Sequence, residues 1–146
     1  MKTNIKNISK IYPVGKTKKT ELPFYTEKLS AGFPSPASDY LERALDLNEY
    51  LIKNPSATFF VEITGDSMIN AGIHSGDILI VDRSLEARHD KIVVAVINGE
   101  FTVKRLSWQK GRIILVPENP VYKPIEIKEG MEFEIWGVAT TVIHRL

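Results

Sequence analysis

The sequence contains no cysteine. That absence removes disulfide frameworks, thiolate zinc sites and thiol nucleophiles together, so any covalent catalysis has to use another side chain. No apolar run approaches the roughly 20 residues that span a bilayer. The N-terminus also lacks the continuous apolar stretch of a secretory signal, and the cytosol is the expected compartment. Glycine-rich phosphate loops of the G-x-x-x-x-G-K and G-x-G-x-x-G kinds are missing. His74, His89 and His144 form neither an i, i+4 pair nor an H-E-x-x-H segment. A metal site or a Ser-His-Asp triad therefore has little support, the histidines read as surface residues, and no metal or cofactor is expected.

What is present is the composition of one soluble domain: 146 residues, 43% hydrophobic and 25% charged, enough to bury a core. The net charge of +1 conceals an asymmetry. Residues 1–31 hold seven lysines and two glutamates, a balance of +5, while residues 32–146 hold twelve basic and sixteen acidic residues, a balance of −4. The basic segment has two prolines and a glycine in "IYPVGKTKKTELPF" and no sustained helical period, so it reads as an extended, solvated arm. "SAGFPSPASDY" at 30–40 reads as an exposed linker of the kind proteases cut.

From Ser38 to about Leu51, Leu41, Ala44, Leu45 and Leu51 stand near helical spacing, which predicts a short amphipathic helix capped by Ser38 or Asp39 and broken near Asp46. Asn54-Pro55 starts a turn. Beyond it the pattern changes to short runs rich in Val, Ile, Phe and Thr with turn residues about every ten positions, the mark of a mainly β fold. The predicted strands are 58–64, 78–82, 91–97, 100–106, 112–117, 125–127 and 133–143. Asn98-Gly99, between two of them, predicts a type I′ hairpin.

Two residues suggest chemistry. In "EFTVKRL" strand alternation sets Thr102, Lys104 and Leu106 on one face and Phe101, Val103 and Arg105 on the other. The strand pattern alone favours an outward lysine, because lysines are rarely buried unpaired. Turned inward, Lys104 would be desolvated and available as a neutral base. In "GDSMINAGIHSGD", Ser67 lies at the start of a predicted single helical turn bounded by Gly72. It reads as an N-cap or as a nucleophile whose oxyanion the N–H groups of Asp66 and Ser67 would hold. Asp66, Asp77 and Asp82 flank strands and turns where carboxylates bond local amides, and Trp108 and Trp136 read as core or interface residues.

"AGFPSPA" at 31–37, "PSATFFVEITGDSMINAGIHSGDILIVDRS" at 55–84, "GEFTVKRL" at 99–106 and "EIWGV" at 134–138 together resemble the UmuD family of SOS mutagenesis proteins, plasmid-borne MucA-type relatives included, which is related to LexA and phage repressors. The resemblance covers about 110 residues in the same order. It implies a LexA/UmuD-like curled β-sheet peptidase core with one or two short helices, preceded by an extended arm. Ser67 then matches the nucleophile, Lys104 the lysine that deprotonates it, and Ala31-Gly32 the bond that is cut, dividing an arm of 1–31 from a core of 32–146. The family is implied to cleave itself when a RecA–single-stranded DNA filament stimulates it, to form homodimers, and after processing to join a UmuC-type Y-family DNA polymerase. Leu41, Leu45, Leu47, Tyr50 and Leu51 are candidates for part of the dimer surface.

The departures from relatives of this fold are informative. A LexA-type repressor carries a helix-turn-helix module before its hinge, whereas about 30 residues precede Gly32 and none read as two packed helices, so no direct sequence-specific DNA binding is expected. Unlike bacterial signal peptidases, the chain shows no membrane anchor. The alternatives to a self-cleaving peptidase are a non-catalytic UmuD-like scaffold that regulates a polymerase or RecA, and a phage-type anti-repressor.

Overall fold

The structure, a computed structural model, describes residues 6–15, 21–25 and 41–146, with the backbone alone at 21–25 and 41–43. In chain order these residues form β1 (Ile8–Pro13), β2 (Glu21–Tyr25), β3 (Leu41–Asp46), α1 (Leu47–Leu51), β4 (Thr58–Ile63), β5 (Ile78–Asp82), β6 (Ile92–Ile97), β7 (Glu100–Gln109), β8 (Arg112–Val116), β9 (Ile125–Glu126) and β10 (Phe133–Ile143). The chain divides into two compact units. One comprises Met1–Val14 with Asn54–Leu146, and the other Gly15–Lys53. This packing boundary separates the first strand of the basic arm from the remainder of residues 1–31.

In the smaller unit, β2 pairs antiparallel with β3, from Glu21 opposite Asp46 to Tyr25 opposite Leu41. The helix predicted over Ser38–Leu51 is therefore not found at 41–46, and among the described residues of that span only Leu47–Leu51 are helical. The apolar positions Leu41, Ala44 and Leu45 still favour a helix locally, but the β2 partner strand satisfies backbone groups that one or two isolated helical turns would leave open. The cap moves accordingly. Asp46 accepts a hydrogen bond from the Asn48 N–H at 3.3 Å, while Ser38 and Asp39 lie outside the described residues. Leu47 and Tyr50 are exposed on α1.

The larger unit is an eight-stranded sheet in the order β1-β4-β5-β10-β6-β7-β8-β9, every described pair antiparallel. The seven strands predicted from Thr58 onward all form, within a few residues of their expected ends. The Asn98-Gly99 hairpin forms too, with φ of 49° and 84° at the two positions where a type I′ turn requires positive values. The arm's extended character is realised at Ile8–Pro13 as an edge strand on β4.

The near-continuous apolar run of β6 follows from burial on both faces. Val93, Ala95 and Ile97 pack with Leu106, Leu115 and Val138, whereas Val94 packs with Phe59, Val61, Ile63, Leu79, Val81 and Val103. Register shifts in β10, between Ile135 and Gly137 and between Ala139 and Thr141, mark bulge-like irregularities of the kind that bend a strand. The sheet curls: Asn7, just before β1, reaches Val103 in β7 although four strands separate β1 from β7 in the sheet order. Trp136 packs edge-on against Phe59 and Phe101 under the Arg83 guanidinium, and Trp108 is exposed.

Gly137 precedes the stretch of β10 that pairs with β5, Val138 opposite Asp82. A Cβ there would stand 2.7 Å from Val81 Cγ1 and 3.1 Å from the Asp82 carbonyl oxygen. Neither neighbour is a flexible chain end, so Gly137→Ala is expected to lower unfolding free energy by about 1–3 kcal/mol, measured by urea denaturation.

Candidate active site

The turn after β4 places Ser67. Thr64 N–H bonds the Asn7 carbonyl, Gly65 takes φ 80°, and Met68 drops into the core with 1% exposure. A short 3-10 turn follows at Ile69–Ala71, and Gly72 ends it in the left-handed conformation. The expected helical turn is thus present. Its N-cap position is Met68, however, and no side chain caps it, so the Ser67 hydroxyl is not used as a cap.

A loop from farther along the chain holds this turn from outside. The Glu118 N–H bonds the Ser67 carbonyl and the Asn70 N–H bonds the Glu118 carbonyl, both at 2.9 Å. Asn119 Nδ2 donates to the Asp66 carbonyl at 2.9 Å, and the Tyr122 hydroxyl bonds Asp66 Oδ1 at 2.5 Å. Arg105 on β7 pairs with Glu118, fixing the loop to the strand that carries Lys104. Among the described residues, the N–H groups of Asp66 and Ser67 have no hydrogen-bond acceptor.

Lys104 faces inward, against the preference of the strand pattern. Thr102 and Leu106, which share its face, have no exposed surface, and Lys104 itself is 1% exposed. Its Nζ donates to Thr102 Oγ1 at 2.8 Å, to the Val103 carbonyl at 3.1 Å and to Ser67 Oγ at 3.4 Å. Three acceptors satisfy the three donors of an ammonium. No carboxylate among the described residues lies within ion-pair distance of it. Burial without a counter-charge lowers its pKa to about 8, so a neutral amine is accessible near neutral pH.

A third side chain enters the site that the sequence did not reveal. Asn7 is 1% exposed, and its Nδ2 donates to Ser67 Oγ at 3.1 Å and to the Val103 carbonyl at 3.0 Å. Its Oδ1 accepts from the Val103 N–H at 2.6 Å and from Thr102 Oγ1 at 3.3 Å. Thr102 was discernible as a neighbour of Lys104 two positions along one strand face. Asn7 had no such signal, because 60 residues separate it from Ser67. Ala31 and Gly32 lie outside the described residues.

The aspartates behave largely as their positions suggest. Burial pushes the Asp82 carboxyl up, but hydrogen bonds from Asn54 and Ser84 outweigh it and hold the group below its ordinary value. At Asp77 burial also acts upward, and the His74 N–H together with His144 brings the carboxyl below its usual range. His74 and His144 are half-exposed, yet their rings converge on this buried carboxylate, with His144 Nδ1 at 2.6 Å. His74, Asp77 and His144 are the described residues that could together hold a metal ion. They form a cluster separate from Ser67 and Lys104, and no helix among the described residues is long and apolar enough to cross a membrane.

The sequence pattern of the Peptidase S24-like family matches residues 23–140. The chain is 50% identical over 123 residues to Protein SamA of Salmonella typhimurium, covering 84% of this chain and 85% of that one. It is 49% identical over 129 residues to Protein MucA of Escherichia coli, covering 86% of each. To the LexA repressor of Bordetella pertussis it is 41% identical over 117 residues, covering 80% of this chain and 54% of the repressor. The chain belongs to the Peptidase S24-like family, and its resemblance to UmuD-type SOS mutagenesis proteins holds over most of its length. The curled, mainly β core expected from that resemblance is the one observed.

The buried lysine has a consequence for stability. Unfolded, Lys104 keeps its proton to about 10.5; folded, it loses it at about 8. Below pH 8 both states hold the proton, and the fold carries the full cost of an enclosed ammonium. Between pH 8 and 10.5 the unfolded state binds the extra proton, so stability rises with pH. Relative to Lys104→Met, the unmodified protein is expected to gain up to ~3 kcal/mol across that window, read from urea midpoints at each pH.

Proposed function

We propose that this Peptidase S24-like protein is a serine endopeptidase that cleaves its own chain between Ala31 and Gly32. The observation that carries the reading is Lys104, an enclosed amine with no carboxylate partner among the described residues, within hydrogen-bond reach of the Ser67 hydroxyl. Hydrogen bonds between a nucleophile and its base are commonly long until substrate is bound, so 3.4 Å suits the role.

In the proposed reaction neutral Lys104 takes the Ser67 proton as Oγ attacks the Ala31 carbonyl carbon. The resulting oxyanion is held by the N–H groups of Asp66 and Ser67, which have no described acceptor of their own. The tetrahedral species collapses by breaking the Ala31–Gly32 bond, and the lysinium gives its proton to the departing Gly32 nitrogen. An ester on Ser67 remains. Lys104 then activates a water, whose attack releases the Ala31 carboxylate and returns the proton to Ser67. Thr102 and the Val103 carbonyl hold Nζ toward Ser67 throughout.

The biological reading follows the family. A RecA–single-stranded DNA filament stimulates the cut, and the processed homodimer serves as an accessory subunit of a UmuC-type error-prone translesion DNA polymerase in the SOS response. The similarity to SamA and MucA over most of both chains supports that assignment. Removing residues 1–31 changes the side-chain charge from +1 to −4, which alters the surface a polymerase would meet.

Incubation with RecA, ATP and single-stranded DNA is expected to convert the full chain to a 32–146 fragment, with Ser67→Ala and Lys104→Ala each reducing the rate by at least about a hundredfold, as measured by intact-mass spectrometry. Persistence of the uncut chain in all three samples would instead indicate a non-catalytic scaffold. Without RecA, the neutral fraction of a base titrating at about 8 rises about tenfold between pH 7 and 9, and the rate of self-cleavage should follow it before levelling. A rate unchanged over that interval excludes Lys104 as the base.

A further inference from the structure

The first strand of the arm is seated on the site itself. β1 pairs along the outer edge of β4, Ile8 opposite Ile63 and Pro13 opposite Phe59, so the backbone of the arm completes the border of the sheet. At the start of this strand Asn7 turns its amide into the curl. The amide spans the Ser67 hydroxyl and both backbone polar groups of Val103, and it accepts from Thr102, which itself receives a hydrogen bond from Lys104.

Two consequences follow. The Asn7 amide lies in van der Waals reach of the oxygen that would have to approach a carbonyl carbon, and its donor occupies a lone pair of Ser67 Oγ. A peptide bond reaching Ser67 needs a near-attack distance of about 3–3.5 Å, and Asn7 Nδ2 stands 3.1 Å from the same oxygen. Past Ile8 the strand is held by backbone pairing with β4 and not by buried side chains. Its remaining residues, Ser9 to Pro13, are exposed, so Asn7 and Ile8 alone are buried in the body of the unit.

We infer that the β4 edge and the mouth of the Ser67–Lys104 site form a binding site for an extended peptide strand, that residues 6–13 of this chain are its resident ligand, and that Asn7 is the group that keeps peptide bonds from Ser67. Backbone pairing along β4 supplies affinity, and the amide-sized recess beside Val103 supplies selectivity, as in other cases where a strand is added to a sheet edge. Resting on the self-cleavage reading, this makes release of β1 the step that must precede the cut. After the cut β1 belongs to the severed fragment, so the product competes for the same edge.

Because the chain has no cysteine, Ser67→Cys supplies a single thiol whose alkylation by iodoacetamide reports access to the site without requiring peptidase activity. In that background Asn7→Ala and Ile8→Asp are each expected to speed alkylation at least tenfold, with circular dichroism unchanged. Ile8→Asp detaches the strand without touching Ser67 or Lys104, which covers the case in which Asn7→Ala misfolds. Adding a synthetic peptide of residues 1–15 should restore protection to the Ile8→Asp protein, and the same peptide carrying Asn7→Ala should not. With Ser67 intact, both variants should cleave themselves faster at alkaline pH.

Equal alkylation of all three proteins, or failure of the peptide to protect, overturns the strand site even where the protein cleaves itself. Slower cleavage in Asn7→Ala also overturns it, because Asn7 would then be positioning Ser67. Faster alkylation with peptide rescue, in a protein that never cuts itself under any condition, leaves the strand site standing and removes the peptidase reading.

Discussion

The structure depends on enclosing one amine with no counter-charge among the described residues. A carboxylate beside Lys104 would stabilise the ammonium and hold its proton, whereas three neutral oxygens satisfy its donors and leave desolvation unopposed. That arrangement is destabilising at neutral pH, and the rest of the larger unit offsets it with a sheet whose central strands are buried on both faces. An enclosed amine and a well-filled core are therefore two sides of one requirement. A looser core would admit water to Nζ and return the lysine to its ordinary state.

Bringing the serine to that amine is a problem of topology. Ser67 follows β4 and Lys104 lies on β7, with β5, β10 and β6 between those strands in the sheet. Only a curled sheet lets the two approach, and the irregular register of β10 and the glycine whose missing Cβ makes room for Val81 lie on the strand midway between them. The loop at Glu118–Tyr122 adds the fine adjustment. It pins Asp66 and Ser67 through backbone and side-chain bonds while Arg105 ties it to the lysine's own strand. Ser67 and Lys104 are thus braced by one shared element.

Much of this was legible in the sequence. Strands from Thr58 onward were evident because alternation and turn residues are local signals, and Asn98-Gly99 names its own turn. At Leu41–Asp46 three apolar residues stand at helical spacing, and that local signal is overridden by a partner strand some twenty residues upstream, which no local window contains. Lys104 was a similar case. Alternation put it with Thr102 and Leu106 but could not say which face the fold would close over; the family motifs supplied the missing direction. Asn7 was invisible, since nothing in a polar, lysine-rich stretch distinguishes an amide bound for a buried site from one bound for water.

The border position of β1 carries one more consequence. While β1 is in place, the row of backbone groups along the outer side of β4 is paired, and Phe59, Val61 and Ile63 belong to an interior strand. Without it, a six-residue stretch of high β propensity, "TFFVEI", becomes the rim of the sheet, with Glu62 its single charge. Bare rims of that composition recruit other strands. Loss of the arm would therefore replace a short, charged, proline-ended border strand with an adhesive margin.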